Sequence, residues 1–433
     1  MTDHPGPDTA EANAQPQATK LLQVLGPGLI TGASDDDPSG IATYSQVGAQ
    51  FGYNMGWVLL LSWPLMCAIQ EISARIGRVT GKGIAGNLKA HYPRSVLAGL
   101  VGLLLIANTI NLGADLGAMA AGLKLVIGGP QLLYVALFGA VSVLLEVFVK
   151  YARYVFVLKW LTLALLAYVA VAFVVHVDWG SLALHLVAPK ISFSSDYLTA
   201  LVAILGTTIS PYLFFWQAEE EVEEVKEKDG AKPLARAPRQ ARKEFARIRL
   251  DTYLGMGLSN VVALFIVITT AATLNAHGVT NIQTSAQAAL ALKPIAGDFA
   301  FAVFALGIVG TGLLAVPVLA GSAAYATGEA FGWHVGLARK FGRARAFYVT
   351  IAVATVVGAG FNFTPIDPIK ALFWSAVING VVAVPVMAMM MLLASRTDVM
   401  GRFTLTRGLK LVGWAATAVM AAAAVGMLAT IGH

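Results

Sequence analysis

The chain has 433 residues, of which 57% are hydrophobic and 12% charged, with a mean hydropathy of +0.70; an ordinary soluble domain carries roughly 25% charged residues. That balance excludes a soluble multidomain enzyme, a disordered tail protein and a secreted disulfide scaffold, and the single cysteine, Cys67, allows neither an intrachain disulfide nor a thiolate metal cluster. What remains is an all-α integral membrane protein.

In chain order, residues 1–20 are polar and lack a basic-then-apolar leader pattern, so they read as a disordered cytoplasmic tail. Residues 21–431 read as one transmembrane domain. Its apolar segments fall at 21–48, 54–76, 96–123, 130–149, 154–175, 197–216, 250–275, 299–328, 346–363, 369–394 and 409–431, predicting eleven spans. Short polar turns separate them, such as Gly81-Lys82-Gly83 and Gly128-Gly129-Pro130. The longest polar insert, Glu219 to Arg249, is dense in both charge signs.

Lysine and arginine positions set the orientation. With the N-terminus inside, all but four of the 30 Lys and Arg residues fall on the cytoplasmic side; the exceptions are Lys124, Lys190, Lys293 and Lys370. The net charge of +6 is therefore a topology signal in a plasma-membrane protein and not a nucleic-acid footprint. Eleven spans put the C-terminus outside. The oligomeric state is not legible here.

Two spans are broken. Span 1 runs Gly26-Pro27-Gly28-Leu29-Ile30-Thr31-Gly32-Ala33-Ser34-Asp35-Asp36-Asp37-Pro38-Ser39-Gly40. Proline removes a donor and biases Asp37 away from helical geometry. Carboxylates at this depth cannot face lipid, where each would cost about 2.5–3.5 kcal/mol. Span 6 runs Gly206-Thr207-Thr208-Ile209-Ser210-Pro211-Tyr212 with its proline mid-span. Breaks at corresponding places five spans apart point to two inverted five-helix repeats (21–175 and 197–394), with span 11 (409–431) peripheral and the substrate held between the breaks. Freed carbonyls and carboxylates are hard oxygen donors suited to Mg²⁺, Ca²⁺ or Mn²⁺. The same architecture could carry an organic cation or other small solute, since fold does not fix function.

These residues resemble the NRAMP family of divalent-metal transporters, which has the LeuT-like fold. The span 1 motif ending Asp37-Pro38-Ser39-Gly40 is similar to the family's Asp-Pro-Gly-Asn, Asp115-Leu116-Gly117-Ala118 to its third-span Asp-Leu-Ala-Glu, and Ser210-Pro211-Tyr212 to its sixth-span Met-Pro-His. Ser73 to Lys82 resembles the family's exit from span 2, and Pro317 to Ala326 its span 8. The resemblance implies Asp37 as the main metal ligand, assisted by Asp36, by carbonyls near Ser34 or Gly206 and by Ser210. Gly40 and Tyr212 stand where the family has other residues. Serine in place of methionine removes a soft donor and favours a hard cation, Mg²⁺ above all, as in the NRAMP-related magnesium transporters. The family's third-span glutamate is Ala118, span 9 has no basic residue, and no histidine stands in mid-span, so the expectation is secondary transport by alternating access without tight proton coupling.

Further polar residues are candidates for the ion path. Asp115 is an intramembrane acid, with a hydrogen bond to Asn108 or Asn111 as the structural alternative. Gln46, Gln217, Thr207 and Thr208 could bond the waters of a hydrated ion, and Asn379 lies in span 10. Glu219, Glu220, Glu221, Glu223 and Glu224 could form an acidic vestibule or pair locally with Lys226 and Lys228. Glu71 is expected to pair with Arg75 at helical spacing. There is no nucleotide-binding loop and no cofactor signature; the metal ion is substrate.

Overall fold

The computed structural model describes residues 31–32, 34–149, 161–228, 230–337, 339 and 341–431. The tail at 1–20, the opening of span 1 at 21–30, Ala33 and the start of span 5 lie outside these. Among the described residues the chain is helical, without strands. Nine stretches are long and apolar enough to cross a membrane, or ten if the bent pair Leu163–Val174 and Trp179–Val187 makes one span. The stretch Pro38–Thr80 turns at Gly52 (φ 58°), where only glycine is unstrained, so it holds the second part of span 1 (Pro38–Phe51) and all of span 2 (Gly56–Thr80).

The remaining spans follow the apolar pattern. Span 3 is Arg94–Ile127, span 4 Gln131–Phe148, and span 5 ends in Leu166–Val174. Span 6 is Ser195–Thr208 followed by Pro211–Glu227, and span 7 is Ala241–Thr273. Spans 8 to 11 are Ala300–Phe331, Arg345–Gly360, Pro368–Ser395 and Arg407–Thr430. Span 7 begins nine residues before its apolar segment at 250–275, and its first turns bury Ala241, Glu244 and Ile248 against protein instead of lipid. Span 2 ends at Gly81 in the left-handed conformation, a helix C-terminus that glycine adopts without strain.

Packing sorts the spans into two groups. Spans 1, 2, 6 and 7 form one connected group, with span 7 along both span 1 and span 2 and span 6 along the same two. Spans 3, 4, 8 and 9 form a second group, with span 3 running along 4, 8 and 9. Span 10 touches spans 1, 3 and 6, and span 11 lies on spans 2, 6 and 10. The approach between spans 6 and 10 is backbone to backbone: a Cβ on Gly206 would overlap Ala376 and Gly380. The connection from span 5 to span 6 contains a helix, Trp179–Val187, started by Asp178 accepting the Ser181 amide at 2.9 Å.

Candidate metal site between the broken spans

The break in span 1 is present. The backbone is helical at Thr31, Gly32, Ser34 and Asp35, leaves the helix at Asp36 and Asp37, and resumes at Pro38. Asp37 is extended (φ −68°, ψ 169°) and caps the resumed helix: its Oδ1 accepts the Gly40 amide and the Ser39 hydroxyl, each at 2.7 Å. Its Oδ2 faces across the break, accepting from Asn111 Nδ2 of span 3 at 3.1 Å and from the Tyr212 hydroxyl of span 6 at 3.3 Å. The one carboxylate thus touches both broken spans and the second helix group.

The break in span 6 is built from Ile209 and Ser210. Ser210 is extended ahead of Pro211, and its hydroxyl turns back to the carbonyls of Gly206 (2.7 Å) and Thr207 (2.9 Å). Its one proton serves one or the other of these acceptors, which the missing helical turn leaves free. The Gly206 carbonyl, expected as a free ligand, is in this state engaged by that hydroxyl. Tyr212 lies beside the Ser34 carbonyl, at 3.4 Å from its hydroxyl, and beside Asp37, so it closes the gap between the two breaks. A side chain at Gly40 would meet Thr207 Oγ1 and the Tyr44 ring at 3.2 Å; these two residues occupy the space an asparagine would use.

Asp35 and Asp36 both turn to span 7, where Ser259 Oγ lies 2.7 Å from Asp35 Oδ2 and 2.9 Å from Asp36 Oδ1. One hydroxyl proton serves one acceptor at a time, and Asp35 Oδ1 has no partner among the described residues. Asp115 is wholly buried, and among the described residues neither of its carboxylate oxygens is hydrogen-bonded. The alternative partners proposed for it are occupied elsewhere: Asn108 bonds the Leu319 carbonyl and Ser322, and Asn111 bonds Asp37. Asp35, Asp36, Asp37 and Asp115 are all at most 7% exposed. Among the described residues no ion pair neutralises any of the four. Buried carboxylates without counter-ions are costly unless a cation or protons join them. No three His, Cys, Asp or Glu side chains among the described residues converge as a ready metal cage. A cation here would rest on a mixed set of carboxylate, carbonyl and hydroxyl oxygens and water.

The other candidates are spread along the path. Gln217 accepts from Thr31 Oγ1 at 2.5 Å, joining the two broken spans beyond the break, while its Nε2 is unsatisfied. Asn379 is buried with both amide atoms unpartnered. Gln46 instead anchors the connection after span 7, accepting the Ile282 amide at 2.8 Å. It lines a cleft of about 640 Å³ with Gln50, Asp196, Thr199 and Lys370, at the ends of spans 1, 6 and 10. The glutamate run is not an open vestibule. Glu221 pairs with Arg247 at 2.6 Å, Glu224 with Arg247 at 2.8 Å and with Lys228 at 3.5 Å, and Glu223 accepts the Tyr325 hydroxyl at 2.7 Å. Glu219 is buried. Glu71 pairs with Arg75 at 2.5 Å, as its spacing predicts. Ser259 is not legible in the sequence, for it acts through Asp35 and Asp36, more than two hundred residues away.

The sequence matches the model of the Natural resistance-associated macrophage protein-like (Nramp) family over residues 28–430. The chain belongs to the Nramp family. It is 28% identical over 407 residues to the divalent metal cation transporter MntH of Klebsiella pneumoniae subsp. pneumoniae, covering 92% of each chain. It is also 28% identical over 315 residues to MntH of Pectobacterium carotovorum, with 71% of this chain and 73% of the relative covered. The fold is similar to the manganese transporter of Eremococcus coleocola, with a TM-score of 0.74, 17% identity, and 98% and 89% of the two chains covered. Mhp1 in its inward-facing conformation is more distant, with a TM-score of 0.53 and 15% identity over 93% and 90% of the chains. These likenesses establish the LeuT-like fold, and Nramp membership places the two breaks in a transporter and not an enzyme.

Proposed function

We propose that this Nramp protein carries a divalent metal cation through the plasma membrane by alternating access. The observation that carries the reading is Asp37: one buried carboxylate joined to span 3 through Asn111 and to span 6 through Tyr212, among three further acids without counter-ions. The names of the relatives, divalent metal cation transporters and a manganese transporter, support a metal substrate. Asp37 is the main ligand, with Asp36, the Ser34 carbonyl and waters bonded by Gln217 and Thr207 completing the shell; Ser210 and Gly206 become available when span 6 moves. The residue before Pro211 offers oxygen and not sulphur, which favours Mg²⁺, with Mn²⁺ and Ca²⁺ as competitors.

The spans 1, 2, 6 and 7 group rocks against spans 3, 4, 8 and 9. The N-terminus is cytoplasmic and the C-terminus outside, by the lysine and arginine distribution. With no basic residue in span 9 and tyrosine after Pro211, transport runs down the ion's electrochemical gradient without tight proton coupling. Titration calorimetry of the purified protein with Mg²⁺, Ca²⁺, Mn²⁺ and Cd²⁺ tests the site, and metal uptake into proteoliposomes with a lumenal pH dye tests the coupling. Preferential binding of Cd²⁺ contradicts the hard-site reading, and acidification in step with metal entry contradicts uncoupled transport.

A further inference from the structure

At the end of the molecule where the basic connections gather, two glutamates from the two helix groups meet. Glu219 lies eight residues beyond Pro211 in span 6, and Glu329 lies in the last turn of span 8. Glu329 is held as an acceptor. Its Oε1 takes the Gly83 amide at 2.8 Å and its Oε2 the Gly86 amide at 2.7 Å, free donors at the start of helix Ile84–His91, which follows span 2. Glu219 is 2% exposed, and among the described residues no N–H group reaches either of its carboxylate oxygens. Both carboxyls press on Gly83: a Cβ there would collide with Glu219 Oε1 and lie 2.6 Å from Glu329 Oε2.

The groups around the pair do not neutralise it by direct contact. Lys226 and Glu223 face it from span 6, Lys82 and Lys89 from either side of the start of helix Ile84–His91, and His334 and Arg339 from the segment after span 8. Lys89 Nζ reaches the Glu329 carbonyl at 3.4 Å and not its carboxylate. The nearby arginines, Arg78 and Arg247, are committed to Glu221, Glu224 and Glu244. Two carboxylates pressed on one glycine repel unless a proton is held between them. Glu329 already has the N–H donors that a carboxylate needs and Glu219 has none, so a proton bound between them belongs on Glu219, pointing at Glu329.

We propose that Glu219 and Glu329 form a proton-binding site that latches span 6 to span 8 and closes this end of the protein. Span 6 belongs to one helix group and span 8 to the other, so a rocking motion that opens this end must part them. Loss of the proton leaves two facing anions that repel. The proton exchanges with the solution at this end through a cleft of about 360 Å³ lined by Lys82, Lys226, Glu329 and His334. It returns to the side from which it came, so it sets the opening rate without entering the transport stoichiometry. The latch rests on the transporter reading for what opening achieves; the shared proton does not.

Hydrogen exchange followed by mass spectrometry tests this on the full chain in nanodiscs, without metal, between about pH 5.5 and about pH 8.5, with rates corrected for intrinsic pH dependence. The readout is a peptide covering residues 82–92, which includes the amides held by Glu329. In the wild type, protection should fall by on the order of tenfold as pH rises. Glu219→Gln donates at every pH and should stay protected throughout. Glu329→Gln offers only one amide oxygen to two amides and should be weakly protected throughout. His334→Gln should keep the wild-type profile. A flat wild-type profile, or a wild-type profile in Glu219→Gln, overturns the latch, as does loss of the pH dependence in His334→Gln. If Glu329→Gln does not fold, the Glu219→Gln profile alone decides. Metal uptake by the same wild-type preparation is the separate check: its absence overturns the transporter reading, while the exchange profile still decides the latch.

Discussion

The Tyr212 hydroxyl lies 3.3 Å from Oδ2 of Asp37, so the first turn of the second half of span 6 touches the cap of the second half of span 1. The contact makes Asp37 serve two purposes, since its other oxygen caps a helix while this one faces the gap. A substitution that keeps the cap and removes the charge separates them. Asp37→Ser retains a capping oxygen and should lower thermal stability by less than about 1 kcal/mol. Metal binding should nonetheless fall by at least on the order of tenfold, equivalent to about 1.4 kcal/mol, because the charged ligand is gone. Asp37→Ala should lose both. Thermal unfolding and calorimetric titration of the same samples check the separation; retained metal affinity in Asp37→Ser removes Asp37 from the binding site.

Ser210 governs the choice of ion. Its hydroxyl now bonds the Gly206 and Thr207 carbonyls, so Ser210→Met both adds a thioether and frees two carbonyl oxygens toward the gap. The preference should shift toward softer ions, with the Cd²⁺-to-Mg²⁺ affinity ratio rising by on the order of tenfold or more. Competition titrations on wild type and variant measure that ratio. An unchanged ratio places the ion away from Ser210.

Much of this arrangement could be read from the chain alone because membrane burial leaves plain marks. The apolar lengths located the spans, and acids beside Pro38 with apolar residues on both sides pointed to a break sooner than to a loop ahead of a late-starting span. Glu71 and Arg75 were legible because four residues make one helical turn. What escaped reading depends on pairings between distant spans. Ser259 is one of several span 7 hydroxyls until the fold brings it to Asp35 and Asp36. Glu219 and Glu221 sit in one uniform acidic run, yet helical rotation sends the first to Glu329 and the second to Arg247. Gly206 suggested an exposed carbonyl, whereas its missing side chain is what lets span 10 approach.

That approach yields a stability prediction. Gly206→Ala would set a methyl against the backbone of Ala376 and Gly380, where no flexible side chain can yield. Spans 6 and 10 would have to separate, at a cost of about 1–3 kcal/mol typical of overpacking. The melting temperature should fall accordingly, and transport should fall with it because the displaced helix carries the span 6 break. An unchanged melting temperature shows that the two spans do not pack closely at this point.

The charged insert after span 6 gives the largest expected loss. Arg247 is the hub of the network, reaching Glu221 at 2.6 Å, Glu224 at 2.8 Å and Glu244 at 3.0 Å, while Arg78 also reaches Glu244 at 3.0 Å. Glu221 is fully buried and its other oxygen has no partner, so Arg247→Ala strands a buried carboxylate. Removing one member of such a pair costs roughly 3–5 kcal/mol, whereas removing both charges costs far less. Arg247→Ala should therefore unfold much earlier than wild type in denaturant, and the double variant Arg247→Met with Glu221→Gln should recover most of the difference. Because Glu224 and Glu244 also lose Arg247, recovery should be incomplete, and Arg78 should keep Glu244 in place. If the double variant is no more stable than Arg247→Ala, the stability of this junction comes from packing and not from the pairing of Glu221 with Arg247.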